Sequence, residues 1–228
     1  MEDVEVLGVT LSKEQHALAQ QRAEAAGVSD RVKFELRDYR ELDAKFDRIV
    51  SVGMFEHVGV PRYGEFFDKV NQLLPDRGVM LLHSIGHMSP PSTASPWLRK
   101  YIFPGAYSPS LSEVFPAVER NKLWVTDVEF LRLHYAMTLK HWHQRFEAHR
   151  AEIAKLYDEK FCRMWEFYLI SAEMMFRTGA QEVFHMQLSR TRDASPIRRD
   201  YIIDSQRALK AREAERLPPL VRRELTTA

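Results

Sequence analysis

The sequence predicts an α/β fold built on a Rossmann-like, doubly wound sheet, and three observations predict it. Short β-branched runs alternate with segments of helical periodicity through the first half of the chain. The run Val79–Ile85 is almost uninterrupted apolar sequence, as expected of a strand buried on both faces of a parallel sheet. The 228 residues, 45% of them hydrophobic and without an internal repeat, are enough for one globular domain with a sizeable core.

The first half carries clear helix boundaries. Ser12 opens a Ser-x-x-Gln sequence, the form of a capping box, and a helix follows it. Gly27 suits the position after that helix, because glycine adopts the left-handed backbone found there. The predicted elements are a strand Val4–Val9, a helix from Ser12 to about Ala26, strands Val32–Leu36 and Phe46–Val52, a helix Arg62–Leu74 and a strand Val79–Ile85.

The composition changes after Gly86, where six prolines punctuate a stretch rich in serine and aromatic residues. Loops and short helices are expected there. Beyond Leu188, ten basic and six acidic residues give about +4, which predicts a solvated helix and a frayed end or, as the alternative, a weak attraction to an anionic membrane. The organisation expected is one domain over 1–189, with a helical insertion over about 87–180, and a charged tail over 190–228. The elements expected are a strand Trp124–Val128, helices Tyr135–Arg150 and Asp158–Arg177, and a strand Glu182–Leu188.

Composition excludes several classes of function. The 33 basic and 32 acidic residues leave a net charge of +1, so the basic footprint of a nucleic-acid-binding protein is missing. Cys162 is the single cysteine, which suits a reducing cytoplasm and excludes an internal disulfide. His141 and His143 lie two apart on a predicted helix and do not share a face, so no metal site is expected. No apolar stretch is long enough to span a bilayer and the start lacks signal-peptide features, which predicts at most a peripheral attachment to membranes.

Polar or glycine-containing segments follow four of the predicted strands. Because ligands of doubly wound sheets bind at the carboxyl ends of the strands, these segments are candidates for a binding site. Each has a structural explanation by itself, since Ser12 and Gln15 suit helix capping and Asp38 suits a turn. Together they predict one site. The segments are Thr10–Gln15, Arg37–Arg40, Gly53–Gly59 and His83–Gly86.

In order and spacing these segments resemble the cyclopropane-fatty-acyl-phospholipid synthase and mycolic acid methyltransferase family, which consists of class I methyltransferases that use S-adenosylmethionine. The resemblance runs to about Arg192 and omits only the tail. The segments that carry it are Gly8–Gln15, Phe46–Gly59, Gly78–Gly86, Lys100–Gly105, Tyr135–Leu139, Arg145–Phe146 and Phe176–Arg177.

The resemblance implies two ligands and a lipid substrate. S-adenosylmethionine would donate the methyl group to an unsaturated acyl chain of a phospholipid at a membrane surface, and a bound bicarbonate would remove the proton that closes a cyclopropane ring. The resemblance places the bicarbonate against Glu56, His83, the backbone of Ile85, and Tyr135. It places S-adenosylmethionine against Thr10, Leu11, Ser12, Gln15, Asp38, Tyr39 and Arg40.

Aromatic and methionine side chains after Gly86 are candidates to line a groove for the acyl chain, although helical apolar stripes more often pack in a core. The resemblance also implies that the insertion faces the lipid. The candidates are Trp97, Tyr101, Phe103, Trp165, Phe167, Met174, Met175 and Phe176.

Two departures from the family pattern keep alternatives open. The first strand and glycine-rich turn of the family do not precede Gly8, so we expect an N-terminally truncated form, with an unpaired strand edge and a tendency to form homo-oligomers. Many members carry a cysteine where Ala172 stands. The alternatives are an inactive remnant that binds a lipid or a protein partner, and a methyltransferase that acts on another small molecule.

Overall fold

The computed structural model describes residues 3–216 and shows a mixed α/β protein with two compact units. Of the described residues, one unit comprises 3–43 together with 196–216, and the other comprises Ala44–Ser195. Each unit has its own sheet, and the two are described in turn.

The first unit is a strand-helix-strand structure. Strands β1 (Val6–Thr10) and β2 (Val32–Leu36) pair in parallel, and helix α1 (Lys13–Ala25) connects them. The predicted N-cap is confirmed, because the Ser12 hydroxyl accepts a hydrogen bond from the backbone N–H of Gln15 at 3.2 Å. The helix ends before Gly27, whose φ of 65° is the left-handed conformation predicted for it.

The second unit contains a four-stranded mixed sheet. Its strands are β3 (Arg48–Val52), β4 (Val79–Gly86), β5 (Trp124–Phe130) and β6 (Glu182–Ser189), in the order β3-β4-β6-β5. Strands β3 and β4 are parallel, whereas β6 is antiparallel to both β4 and β5. Within residues 3–216, β1 pairs only with β2 and β3 only with β4, so each has an unpaired edge. The self-association expected from such edges stays a prediction.

The prediction that Val79–Ile85 is buried on both faces was wrong. In β4, Met80 and Leu82 are fully buried, but the side chains that alternate with them are only half-buried. On the neighbouring strand β3, Val50 and Val52 are 65% and 63% exposed. The second face of the sheet is therefore incompletely covered by the residues described, although the strand reads as continuously apolar. His83 and Ile85 lie on this less covered face.

The helices of the second unit form most of the remaining core. Helices α5 and α7 pack against each other around Leu139, Phe146, Cys162, Leu169 and Phe176. The predicted helix from Tyr135 to about Arg150 is confirmed as α5, and a further helix that was not predicted begins at Arg150. The helices are α2 (Tyr63–Leu73), α3 (Pro96–Tyr101), α4 (Leu111–Arg120), α5 (His134–Ala148), α6 (Arg150–Leu156) and α7 (Glu159–Arg177).

The predicted tail over 190–228 contains the expected helix, α8 (Asp200–Arg216), which belongs to the first unit. The rest of that tail, residues 217–228, lies outside the described residues. None of the helices within residues 3–216 combines the length and the apolar character needed to cross a membrane.

Candidate active site

Glu56 is a buried carboxylate with one oxygen in use and one free. It lies in a short 3-10 helix, Phe55–His57, which follows β3 after the left-handed turn at Gly53. Its Oε1 accepts a hydrogen bond from the backbone N–H of Ile85 at 2.7 Å. Its Oε2 is buried and accepts no hydrogen bond. Because a buried carboxylate oxygen without a donor is costly, Oε2 is suited to accept a proton or hydrogen bond from a ligand.

The segment that carries Glu56 is held rigidly. The Phe55 side chain is fully buried, stacks on Tyr63 at a ring distance of 4.2 Å, and contacts Phe66 at 5.2 Å. The Glu56 carbonyl accepts a hydrogen bond from the backbone N–H of Tyr107 at 2.8 Å. Aromatic packing of this kind fixes a backbone that has no sheet or long helix to hold it.

His83 on β4 lies directly opposite His185 on β6, and Nδ1 of His83 is 2.8 Å from Nε2 of His185. Burial lowers the pKa of His83 below its ordinary value, His185 lowers it further, and Glu56 opposes both effects. The His83 ring is therefore favoured in its neutral form. Which ring carries the shared proton decides whether Nε2 of His83 donates or accepts a hydrogen bond.

Tyr135 supplies a protonated hydroxyl near the carboxylate. It lies in the first turn of α5, and its ring contacts Phe176 at 4.9 Å. Burial raises the pKa of Tyr135, and Glu56 raises it further. Burial also raises the pKa of Tyr168 to about 12, with a contribution from Tyr135. Both phenols therefore remain hydrogen-bond donors at neutral pH.

Glu56, Ile85 and Tyr135 line one cavity of about 220 Å³. His83 is not among the residues that line it, although Glu56 acts to raise its pKa. The walls are mainly apolar, and their polar side chains include Ser108 and Gln181, which hydrogen-bond to each other at 3.1 Å. The apolar or aromatic lining residues are Ile85, Ala94, Leu98, Phe103, Ala106, Tyr135, Tyr168, Ala172, Met175 and Phe176.

The structure divides the side chains that we considered for acyl-chain contact. Phe103, Met175 and Phe176 line the cavity. Trp97 and Trp165 pack against the helical core. Tyr101, Phe167 and Met174 are about half exposed.

Sequence reasoning missed some cavity residues that helix α7 contributes. Tyr168, Ala172, Met175 and Phe176 follow one another at spacings of four, three and one, so they share a face of the helix. That periodicity was a usable signal, but it does not distinguish a cavity face from a core face.

The Ile85 N–H is not available in the way that the family resemblance implied, because it donates to Glu56 and not to open space. A bicarbonate still fits the remaining groups. Its O–H would meet the free Oε2 of Glu56, and its other oxygens would accept from the hydroxyl of Tyr135, since both residues line the cavity.

The residues predicted to bind S-adenosylmethionine lie together in the first unit. Thr10 ends β1 opposite Leu36, the last residue of β2, and the Arg37 N–H donates to the Thr10 carbonyl at 3.1 Å. The segments Thr10–Gln15 and Asp38–Arg40 therefore follow the carboxyl ends of two adjacent parallel strands, where one ligand can contact both.

Several polar groups of these segments already have local contacts. The Thr10 hydroxyl donates to Oε1 of Gln15 at 3.1 Å, and Ser12 caps α1. Arg40 pairs with Asp38 at 2.6 Å and lowers the pKa of that carboxyl, and Tyr39 starts a short 3-10 helix. The Leu11 side chain is 71% exposed and free to contact a ligand. The segments fit a nucleoside-containing ligand through their shared position, more than through unpaired polar atoms.

One group of potential metal ligands occurs in the described part of the chain, and an arginine explains it. His143, Glu147 and Glu166 bring their ligand atoms within 4.8 Å of one another. Arg150 contacts both carboxylates, Glu147 at 2.9 Å and Glu166 at 2.8 Å. The guanidinium thus supplies the positive charge that a metal ion would bring, and the group is best described as an ion-pair network.

Comparisons with known proteins agree with this geometry. A family described as mycolic acid cyclopropane synthetase matches residues 1–186. The chain is 40% identical over 188 residues to the cyclopropane-fatty-acyl-phospholipid synthase of Escherichia coli (strain K12), covering 82% of this chain and 48% of the relative. It is 39% identical over 191 residues to the tuberculostearic acid methyltransferase UfaA1 of Mycobacterium tuberculosis (strain ATCC 25618 / H37Rv), covering 81% and 45%. The chain thus spans about half the length of these curated relatives.

A solved structure is similar as well. The mycolic acid cyclopropane synthase CmaA1, complexed with SAH and CTAB, superimposes with a TM-score of 0.75 at 34% identity, covering 82% of this chain and 70% of that one. The fold is therefore the Rossmann-like α/β fold of S-adenosylmethionine-dependent methyltransferases, as the sequence predicted. Because the matched residues include the strand ends around Glu56 and His83, we conclude that the chain belongs to the mycolic acid cyclopropane synthetase family.

Proposed function

We propose that this chain takes part in S-adenosylmethionine-dependent addition of a methylene group to the double bond of an unsaturated phospholipid acyl chain. The observation that carries the proposal is the apolar cavity of about 220 Å³ that Glu56 lines. The Oε2 atom of this carboxylate is buried and accepts no hydrogen bond. An apolar cavity with a few convergent polar groups is the expected form of a site for an apolar substrate. The names of the relatives, a cyclopropane-fatty-acyl-phospholipid synthase and a tuberculostearic acid methyltransferase, support the same substrate class.

The cavity walls suit an acyl chain in two ways. Phe103, Met175 and Phe176 offer apolar surface, whose burial against a hydrocarbon chain is worth about 25 cal/mol per Å². The same walls exclude water, which protects a cationic carbon from hydrolysis. Ala172 is a small residue in this wall and leaves room beside the chain.

The chemistry requires a methyl donor and a base. S-adenosylmethionine supplies an electrophilic methyl group when bound, and bicarbonate supplies a base. Thr10–Gln15 and Asp38–Arg40 would hold the donor, with Leu11 in apolar contact. At the cavity, Glu56 accepts a proton or hydrogen bond through Oε2, while Tyr135 donates from its hydroxyl and so orients the group that takes the proton. His83, kept neutral by burial, is a further proton acceptor or donor beside Glu56.

A second surface, formed by exposed apolar residues of α7 and α3, is the candidate for contact with the membrane that holds the lipid substrate. On α7, Phe167, Ile170 and Met174 are 57%, 43% and 50% exposed, and their spacing puts them on one face, on the side of the helix away from the face that lines the cavity. On α3, Trp97 packs edge-on against Phe167 at 4.8 Å, and Tyr101 is 49% exposed. We define these five residues as the α3–α7 patch.

The α3–α7 patch suits the surface of a bilayer that contains anionic phospholipid. Aromatic side chains of this kind favour the membrane interface, and the exposed Arg99 and Lys100 on α3 would meet lipid phosphates. Arg99 and Leu98 of the same helix also line the cavity, so the patch is continuous with the proposed acyl site. We infer peripheral attachment at a cytoplasmic membrane face, which suits the free, buried thiol of Cys162.

The first test measures binding and turnover by the 228-residue chain. Isothermal titration with S-adenosylhomocysteine measures the cofactor site. Incubation with S-adenosylmethionine, bicarbonate and vesicles of mono-unsaturated phosphatidylglycerol, followed by mass spectrometry, should show acyl chains that have gained one CH₂. Vesicles of saturated lipid are the control and should remain unchanged. Cofactor binding with transfer only to a soluble acceptor would contradict the lipid proposal, and a folded chain that binds no S-adenosylhomocysteine would contradict the whole proposal.

The second test concerns the α3–α7 patch. Phe167→Glu should reduce co-sedimentation with anionic vesicles by about 10-fold, because it removes apolar surface and adds a negative charge. Leu156→Glu is the matched control, since Leu156 is 78% exposed on α6 and lies outside the patch. Equal vesicle binding by the two variants would exclude the patch as the docking surface.

A further inference from the structure

The hydrogen-bonded pair of Ser108 and Gln181 is a polar part of the cavity wall that the proposed function leaves unused. Nε2 of Gln181 donates to Oγ of Ser108 at 3.1 Å, and both residues line the same cavity as Glu56. A serine hydroxyl can accept and donate at once, so Ser108 keeps its own hydrogen after accepting from Gln181. Within residues 3–216 no acceptor takes that hydrogen. The pair therefore offers the cavity an unused hydrogen-bond donor.

Backbone hydrogen bonds hold this pair beside the segment that carries Glu56. The residue before Ser108 is Tyr107, whose backbone N–H donates to the Glu56 carbonyl at 2.8 Å. Since consecutive Cα atoms lie about 3.8 Å apart, Ser108 is one residue away from a direct contact with the Glu56 backbone. Gln181 is fixed at the end of α7, because its backbone N–H donates to the Met175 carbonyl at 3.1 Å. Both members of the pair are thus held in place at the cavity wall.

A bicarbonate bound against Glu56 needs a further donor. With its O–H on Oε2 of Glu56, it has two other oxygens that accept hydrogen bonds. The Tyr135 hydroxyl has one hydrogen and can serve one of them, and the Ile85 N–H is already engaged by Glu56. The anion would also lie next to a carboxylate, so donors must offset the repulsion between two negative charges. An oxygen left without a donor in an apolar cavity would weaken binding.

We propose that Ser108 donates this missing hydrogen bond to bicarbonate, and that Gln181 is a positioning residue that orients the Ser108 hydroxyl. The inference rests on the proposed function, which places the anion in the cavity. Because the Gln181 amide occupies a lone pair of Oγ, the hydroxyl hydrogen is directed away from that amide. Ser108 keeps its hydrogen throughout, so it binds and orients the anion without taking part in proton transfer.

Tyr168 is the alternative donor, and the contacts favour Ser108 over it. The Tyr168 hydroxyl belongs to a residue of the cavity wall on α7, and its ring packs edge-on against Phe103 at 5.7 Å. No hydrogen bond within residues 3–216 joins Tyr168 to the segment of Glu56, whereas Tyr107 joins Ser108 to it. The two hydroxyls can be separated by substituting each in turn.

Bicarbonate binding by the 228-residue chain tests the proposal without any turnover. Broadening of the ¹³C signal of labelled bicarbonate, titrated with protein at pH 7.5, measures the affinity. Ser108→Ala should weaken binding by about 10-fold, the effect of losing one hydrogen bond to a charged acceptor. Ser108→Thr retains the hydroxyl and should bind nearly as tightly as wild type. Gln181→Met keeps the side-chain length but frees the hydroxyl to rotate, so its loss should be intermediate.

The matched control is Ser92→Ala, at an exposed position of the same proline-rich stretch and outside the cavity wall. It should bind bicarbonate as wild type does. Equal affinities of Ser108→Ala and Ser92→Ala, in chains that circular dichroism shows to be folded, would overturn the proposal. So would a loss of binding in Tyr168→Phe that Ser108→Ala does not show, because the donor would then be the phenol.

Vesicle turnover separates this inference from the proposed function. Ser108→Ala should raise the bicarbonate concentration that gives half the maximal rate by about 10-fold, with the affinity for S-adenosylhomocysteine unchanged. A lower rate that added bicarbonate does not restore would indicate a structural role and contradict the inference. A folded wild-type chain that does not broaden the bicarbonate signal would also contradict it. A chain that binds bicarbonate through Ser108 but modifies no lipid would instead overturn the proposed function.

Discussion

Replacing Glu56 by alanine or by glutamine separates its structural role from its chemical role. In Glu56→Ala the Ile85 N–H loses its 2.7 Å acceptor, and a buried unpaired donor costs about 1–3 kcal/mol. In Glu56→Gln a carbonyl oxygen remains for Ile85, so only the charge assistance is lost, which is worth about 1 kcal/mol. That loss is partly offset, because the buried and unpaired Oε2 no longer carries negative charge. We therefore expect the alanine variant to be the less stable by about 1–2 kcal/mol.

Urea unfolding followed by circular dichroism at pH 7.5 measures these stabilities, and vesicle turnover measures the chemistry. Both variants should lose turnover by about 100-fold or more, because neither retains a carboxylate at the site. Their affinity for S-adenosylhomocysteine should be unchanged, since Glu56 is not among the proposed cofactor residues. Glu152→Ala and Glu152→Gln, at an exposed position on α6, are the matched controls and should be nearly silent. Equal stability of the two Glu56 variants would refute the assignment of the Ile85 contact, and wild-type turnover by Glu56→Gln would refute the chemical role.

Three further predictions concern the same cavity and its support. Tyr135→Phe should lower vesicle turnover by about 100-fold, the cost of one lost hydrogen-bond donor. Because burial raises the pKa of Tyr135, the wild-type rate should show no loss of that donor up to about pH 9. An unchanged rate in the variant would exclude a role for the hydroxyl in turnover. Burial holds the pKa of His83 below its ordinary value of 6.5, so the unfolded chain binds the proton more readily, and stability is complete above about pH 6.5 and decreases as the pH falls below it. Thermal unfolding between pH 5 and 8 should therefore show a shallower decrease for His83→Gln than for His141→Gln, and identical slopes would contradict this origin. Gly86→Ala would bring a Cβ to 2.8 Å from the Pro109 carbonyl and 2.9 Å from the Phe184 ring. We therefore expect urea unfolding to show a free energy of unfolding lower by about 1–3 kcal/mol. Gly64→Ala, whose Cβ would have nothing within 4 Å, is the control and should be neutral or stabilising.

Local sequence patterns predicted the elements well. The cap at Ser12 and the left-handed Gly27 were confirmed, and the strand Val32–Leu36 has the predicted bounds. These features depend on residues within one turn or one strand of each other, so a single sequence contains most of the information. The short helix Arg150–Leu156 was not predicted, because seven residues are too few to show a helical period clearly.

The candidate site was predicted only in part. The family resemblance identified Glu56, Ile85 and Tyr135, and the structure brings these three to one cavity. It did not reveal that the Ile85 N–H is engaged by Glu56. Composition indicated an apolar groove, but it could not distinguish Met175, which lines the cavity, from the exposed Met174 beside it. A helical stripe has the same appearance in sequence whether it faces a core, a cavity or solvent.

From the amino-acid order alone we could therefore recognise the family, the kinds and approximate limits of the elements, and the capped helix at Ser12, because each depends on neighbours along the chain or on matched motifs. Three features required the tertiary structure: the pairing of His83 with His185, the free oxygen of Glu56 and the half-buried face of β4. Strand order and register bring together groups as much as 102 residues apart, and burial depends on everything that packs around a strand. Neither quantity is a property of any short stretch of sequence.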